Sequence, residues 1–557
     1  MKTNFNFHDF SLYEQLLGRQ KTLLSDQITR KGGLGWVKWI LNLFRLIHAK
    51  APTKSNVRIA KVFIRQCYLI NKESGSSFLV RYLKGCYILL QQYVARNETR
   101  YSGWEVSSLG IKTNRSGLPV RFIPRLLRRD IRKGDVKVIK LYMSLFGCYR
   151  YLLCPYKPIN YKSITEPGSW KPSLEPNLLY YVNIFKYHIM KNFTPDPITE
   201  GKPFPIEKVT VHISAKEKIR GSSIAPLFYS IWNWRALALK VHRGEATGRE
   251  GRLWMSLMFL IKEYFPEART LITGIKPVVA LSSNSPLEGS KSYSPVFLPQ
   301  GWEPIFGRIS NLREPAGKIR KIAIVDPLSQ WLLKPIHDWM FSILRKIPND
   351  GTFDQSKPAL VLMDLVRKSK GKFLASLDMS DATDRLASIL QRTILTPFLG
   401  VNISYSWHKF LTDRPYQRGF GKEPLYYAVG QPMGALSSFS NLAFTHHFLW
   451  QWAAWSSGYT PTWKWFTEYV VLGDDSACAV KIVADEYCRI VKRIGVLINL
   501  SKSLISNNGC MEFAKRFFTL KGDCSPISLG EVLVSHVNFS VMTNWPRKHD
   551  IRIFDLL

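Results

Sequence analysis

The stretch Tyr469–Val483, YVVLGDDSACAVKIV, sets apolar runs on either side of Gly473, Asp474 and Asp475. The pattern predicts a β-hairpin whose turn Gly473 eases by tolerating φ values other residues avoid, with two carboxylates at the tip. An Asp-rich turn alone is commonly a solvated turn. The stretch KFLASLDMSDATDRL, Lys372–Leu386, gives it chemical content: an apolar strand ends at Asp378, and a helix start follows that carries Asp384. Asp381 reads as a turn or cap acid. Asp378 and Asp474 lie 96 residues apart. If their strands are neighbours in one sheet, Asp378, Asp474 and Asp475 converge and can hold two metal ions roughly 3.5–4 Å apart, an arrangement that drives phosphoryl transfer.

Between the acids runs GQPMGALSSFSNLAFTHHFLW, Gly430–Trp450, a loop punctuated by Gly and Pro that passes into an apolar helix. Gly430 and Gly434 permit close backbone approach. Ser437, Ser438 and Asn441 either cap that helix or, with Asp384, hydrogen-bond ribose hydroxyls and so select ribonucleotides through the 2′-OH. His446 and His447 are adjacent, and adjacent helical residues point about 100° apart. They read as structural rather than as metal ligands.

Upstream, GRISNLREPAGKIRKIAIVDPLSQWLL from Gly307 turns at Pro315-Ala316-Gly317 and continues as a strand carrying Lys318, Arg320 and Lys321. These cations either hold an incoming NTP by its triphosphate or form an ordinary solvated hairpin face. Downstream, INLSKSLISNNGCMEFAKRFF, Ile498–Phe518, brings Lys502 soon after the hairpin, where an ammonium can act as general acid toward leaving pyrophosphate. Glu512–Arg516 begins a further strand.

The whole chain frames this site. At 557 residues it exceeds the size of one growing core, and 46% of its residues are apolar. A net charge of +37 calls for an anionic partner, nucleic acid first and an anionic membrane surface second. The densest basic segment is RFIPRLLRRDIRKGDVKVIK, Arg121–Lys140. Eight cysteines without paired spacings suit neither a zinc site nor a disulfide framework, and fit a reduced compartment. The N-terminus shows no secretory or transit pattern. Gly35–Ile47 is apolar but too short to span a bilayer, and reads as a docking helix with peripheral membrane contact as the alternative. Residues 281–300, rich in Ser, Pro and Gly, suit a linker or long loop.

Taken in order, basic hairpin, strand-end Asp, GxPxG-helix, GDD hairpin and Lys resemble motifs F, A, B, C and D of viral right-hand RNA polymerases. The wording of NLREPAGKIRKIAIVDPLSQWLL, IPNDGTFDQ, SLDMSDATDR, GQPMGALSS, LGDD and LSKSL is similar to that of mitoviruses. The resemblance implies an α+β right-hand fold of fingers, palm and thumb. It divides the chain into a basic helical N-terminal region (1–205), fingers with the basic hairpin (206–372), a palm with motifs A to E and an inserted fingers segment (373–518), and a minimal or truncated thumb (519–557). It implies an RNA-directed RNA polymerase that copies a positive-strand RNA genome without a capsid, inside the mitochondria of a fungal or plant host. Its cofactors would be two Mg²⁺ ions, with Mn²⁺ able to substitute. Its partners would be RNA template, RNA product and NTPs, with no DNA, and the chain is expected to act as a monomer.

Two other readings stand beside this one. A reverse transcriptase would use the same palm chemistry, but an aromatic gate expected after Asp378 is replaced by Met379, Ser380 and Asp381. A non-catalytic RNA-binding remnant would have no use for the acids and Lys502 that are all present.

Overall fold

The computed structural model describes residues 33–48, 51–96, 108–193, 225–266, 268–273, 304–369, 371–419, 422–499 and 502–535. The linker reading of 281–300 and residues 536–557 of the thumb lie outside them. The described chain is α+β, mostly helical, with three small sheets. A hairpin of β1 (Gly307–Glu314) and β2 (Lys318–Val325) turns through Ala316 and Gly317, both with positive φ. A four-stranded antiparallel sheet has the order β4-β5-β3-β6, built from β3 (Leu374–Asp378), β4 (Tyr469–Leu472), β5 (Asp475–Cys478) and β6 (Leu504–Ser506). Beside it lies a three-stranded sheet of β7 (Met511–Phe513), β8 (Arg516–Thr519) and β9 (Gly522–Asp523).

The four-stranded sheet is covered on both sides, so LASL in β3 is buried without a break, Ser376 included, whose hydroxyl accepts from Glu512 N. Its two faces follow the period of two. Ala375, Leu377, Tyr469, Val471 and Cys478 join the large core with helices Ser438–Ser456 and Lys481–Arg493. Leu374, Val470 and Ala477 turn the other way, against helix Lys357–Lys368 and the β7–β9 sheet. Helix Ser438–Ser456 is buried around most of its circumference, the position expected of a helix apolar on every side.

A second core draws together distant parts of the chain. Helix Gly33–His48 packs Trp36, Trp39, Ile40, Leu43 and Phe44 against helix Lys54–Val94, so the docking-helix reading of this segment is what the structure contains. Cys510, Phe517, Cys524, Ile527 and Leu529 from the C-terminal strands and their continuation enter that same core. Helix Leu178–Phe193 instead joins the large core through Tyr181, Val182 and Phe185. The two cores therefore divide the described helices of the first 205 residues between them.

Arg414 and Asp326 lock the large core from within. Arg414 is fully buried and donates to Asp326 Oδ2 at 2.7 Å, to the Phe306 carbonyl and to Ser329 Oγ. Asp326 also caps helix Pro327–Leu344 by accepting from Ser329 N, and it receives the Trp234 indole N–H and the Ser230 hydroxyl. Enough donors surround this carboxylate to keep it charged: burial would raise its pKa, but Arg414 and the hydroxyls outweigh that and hold it below 3.8.

Candidate active site

Sheet register brings the acids together. Asp378, the last residue of β3, faces Asp475, the first of β5, as a paired position in the antiparallel ladder, which sets their Cα atoms about 5 Å apart. Asp474 sits in the β4–β5 turn beside Gly473, whose φ of 58° makes the turn possible. The turn is propped from behind by His446, whose Nδ1 lies 2.8 Å from the Gly473 carbonyl. A carbonyl only accepts, so Nδ1 carries the proton and Nε2 receives the Tyr487 hydroxyl at 2.7 Å. Burial lowers the His446 pKa to about 3, which leaves the ring neutral. His447 points elsewhere, to the Tyr469 hydroxyl and Asp350 Oδ2. Both histidines are structural, and neither approaches the acids as a ligand.

The carboxylates burden one another. Asp475 is pushed up to about 7, first by burial and then by the charges of Asp474 and Asp378. Asp474 is raised by burial and by Asp378. A fourth acid belongs to this group: Glu512 on β7 is pushed up to about 8 by burial and next by Asp475, with Arg150 opposing. Sequence reading named Glu512 only as a strand start; the available signal was a lone acid between apolar residues one strand beyond Lys502. Lys502 Nζ stands 2.8 Å from Asp378 Oδ2. Although burial opposes it, the bond to Asp378 raises the ammonium's pKa.

Among the described residues, no three His, Cys, Asp or Glu side chains are already drawn into a finished metal site. The donor set nevertheless fits hard divalent cations. It is all carboxylate oxygen, crowded with like charge that a cation would relieve, and hard ions prefer such ligands.

The basic hairpin meets the site on both of its faces. Arg320 is near enough to Asp474 to lower its pKa, and Lys318, whose pKa burial and then Arg320 depress, also feels Lys502 and Lys515. Glu314 pairs with Arg320 at 3.0 Å and with Lys318 at 3.7 Å. Lys321 turns the other way and pairs with Asp384 at 3.4 Å. Ser163, which sequence reading did not single out, bridges them: its hydroxyl donates to Asp384 Oδ2 at 2.6 Å and accepts from Lys321 Nζ. Burial raises the Asp384 pKa against the pull of both partners. Ser163 ends a segment that follows the hairpin: Leu152 O accepts from Ala316 N, Tyr156 lies under Arg313, and the Tyr161 hydroxyl meets Asn311.

The residues after the GxPxG loop lie inside the molecule. Ser437 holds the N-cap position in a left-handed conformation, yet its hydroxyl accepts from Trp407 Nε1 instead of capping. Asn441 donates to Gln391 Oε1 at 2.9 Å, and Gln431 donates to the same oxygen and to the Ser438 carbonyl. The Ser438 hydroxyl and Gln431 Oε1 are buried without a partner. Gly430 is required here, because a Cβ would lie 2.2 Å from the Thr383 carbonyl and 2.4 Å from the Asp384 carbonyl carbon. The loop thereby presses directly on the turn that carries Asp384. Asn349 and Asp350, part of IPNDGTFDQ, latch β4: Asn349 Nδ2 donates to the Thr467 and Tyr469 carbonyls, and Gly351 N to Val471 O.

The family model for mitovirus RNA-dependent RNA polymerase matches residues 211–545. The chain belongs to that family. It is 40% identical over 471 residues to the RNA-directed RNA polymerase of Cryphonectria parasitica mitovirus 1, covering 82% of this chain and 52% of that relative. The chain thus spans about half the length of the curated mitovirus polymerase it matches. An uncharacterized mitochondrial protein of Arabidopsis thaliana is 33% identical over 208 residues, 35% of this chain and 78% of its own. Among solved structures, the RNA-dependent RNA polymerase of a human picorbirnavirus aligns at 14% identity and a TM-score of 0.32, over 40% of this chain and 46% of that one. The mitovirus family match includes the hairpin, all three palm aspartates, Lys502 and Glu512.

Proposed function

We propose that this chain catalyses RNA-directed RNA synthesis, adding ribonucleotides to an RNA 3′ end opposite an RNA template. The observation that carries the reading is the register pairing of Asp378 with Asp475, which gathers three aspartates at one end of a buried sheet under Lys502 and Arg320. Membership of the mitovirus family supports the choice of RNA as template and product and of NTPs as substrates.

Asp378, Asp474 and Asp475 would hold Mg²⁺, or Mn²⁺ in its place. Bound there, such ions lower the pKa of an attacking 3′-hydroxyl and offset charge on the leaving pyrophosphate. Arg320 and Lys318, held on one face of β2, bring cations toward the triphosphate. Lys502, with its pKa raised, keeps its proton at neutral pH and can pass it to pyrophosphate as the bond breaks. Asp384, oriented by Ser163 and Lys321, and the Ser438 hydroxyl, buried without a partner, are the polar groups that sense ribose.

Mitochondrial replication belongs to the same proposal, supported by the mitovirus relative and by the mitochondrial protein of Arabidopsis. No helix among the described residues is long and apolar enough to cross a membrane. A monomer suffices for this chemistry, since all the site residues come from one chain.

The test is nucleotide incorporation on a defined primer and RNA template with Mg²⁺ or Mn²⁺, NTPs and dNTPs being supplied separately and Asp474→Asn serving as control. NTP-dependent extension that disappears in the variant is the expected result. Preferred use of dNTPs, or extension that survives in the variant, would overturn the reading.

A further inference from the structure

A cavity of about 1100 Å³ opens between the N-terminal helices and the C-terminal strands. Six cationic side chains line it, Arg96, Arg115, Arg132, Lys133, Lys372 and Lys521, and among the described residues no aspartate or glutamate does. They come from five separate places in the chain and surround the space. Lys372 precedes β3, whose far end is Asp378. Six residues of extended strand span about 20 Å, so this cavity lies at the opposite end of the sheet from the acids. The Lys372 carbonyl accepts from Gly509 N, which ties this wall to the loop before β7.

We infer that the cavity is a second RNA-binding site, holding a single strand by its phosphates away from the catalytic acids. The volume exceeds the usual span of small-ligand pockets, about 300–1,000 Å³. The charge is spread around the walls, which suits a run of phosphates better than one triphosphate. Among the described residues Tyr93 is the one aromatic side chain in the lining, which points to contact through the backbone, indifferent to base sequence. The carbonyl end of helix Arg125–Lys133 faces this region and would repel an anion, but Lys521 Nζ caps the Lys133 carbonyl. Gly134, with φ of 77°, leaves room for that contact, since a Cβ there would lie 3.2 Å from the ammonium.

The inference rests on the RNA reading only for its choice of ligand. The test uses the full chain with an excess of unlabelled primer–template hairpin to occupy the palm, and a fluorescent oligouridylate of about twelve nucleotides, a length within known single-strand site sizes. Anisotropy is followed across a salt series for the wild type and for Arg132→Gln/Lys133→Gln/Lys372→Gln. Each lost phosphate contact removes about 0.7 from the slope of log affinity against log salt. The triple variant is therefore expected to bind at least tenfold more weakly at low salt, with a slope shallower by about 2.

An unchanged affinity and slope overturns the proposal, as does full displacement of the strand by equimolar inorganic triphosphate. If the variant melts at a lower temperature, crosslinking of wild-type protein to a 4-thiouridine strand decides. Adducts on peptides spanning 89–96 or 110–117 support the site, and adducts confined to the palm overturn it. Extension of the hairpin by NTPs in the same tubes reports separately on polymerase activity.

Discussion

Ser163 reaches across 221 residues of sequence to donate its hydroxyl to Asp384 Oδ2 at 2.6 Å, while accepting from Lys321. One small side chain thereby couples the helical region to the basic hairpin and to the turn after Asp378. Ser163→Ala leaves Asp384 with one fewer donor, and a hydrogen bond to a charged acceptor is worth about 1.5–3 kcal/mol. Part of that appears in selectivity. The ratio of kcat/KM for NTP over dNTP should fall roughly three- to tenfold, with Ser163→Thr restoring most of it. Unaltered discrimination in the Ala variant would sink the positioning role.

Removing one of the palm acids should separate stability from activity. Asp475 is pushed up to about 7 by burial and by its neighbours, so at pH 8 the metal-free fold carries a costly charge. Asp475→Asn should abolish extension yet raise Tm by a few degrees at that pH. Mn²⁺ should raise the Tm of the wild type, because a ligand that binds only the folded state stabilises it, and should do so much less in the variant. Equal Mn²⁺ shifts in both proteins would argue against Asp475 as a metal ligand.

Glu512 gives a pH dependence of known sign. Its folded pKa, about 8, lies above the 4.5 of an ordinary glutamate, so the folded state binds the extra proton between those values. Stability of the metal-free protein should fall as pH rises through this window, and level off above it. Glu512→Gln should flatten that fall in a series of urea melts. A slope identical to that of the wild type would place the titration elsewhere.

Asp326 acts in the opposite sense. Arg414 and the hydroxyls hold its folded pKa below the unfolded one, so its contribution is present above about pH 4 and is lost as pH drops through the folded value. Arg414→Met leaves a buried carboxylate without its partner and should cost about 3–5 kcal/mol. The double change Arg414→Met/Asp326→Asn should recover part of that loss, as read from chemical denaturation.

Much of the site was legible because local pattern and chemistry agreed. The β4–β5 hairpin, the end of β3 at Asp378, the hairpin turn at Ala316-Gly317 and the close approach at Gly430 all follow from runs of a few residues. The structural role of His446 and His447 followed from helical geometry. Ser163 was not legible, since nothing within its own short helix, Lys162–Thr165, marks it and its partners lie beyond residue 320. Nor could the sequence say which way the hydroxyls and amides after the GxPxG loop point. Ser437 faces Trp407 and Asn441 faces Gln391, choices settled by what packs around the helix. The division of the described N-terminal helices between two cores was hidden for the same reason, because an apolar helical face does not name its partner.

The core shared by the N-terminal helices and the C-terminal strands also sets an order of events during synthesis. Leu152 is made 365 residues before Phe517, which closes the same core together with Cys524. At about 5–20 residues per second the intervening chain takes roughly 20–70 s to emerge. Through that interval the helices expose the apolar face that later meets the strands, a surface open to aggregation until Phe517 and Cys524 arrive.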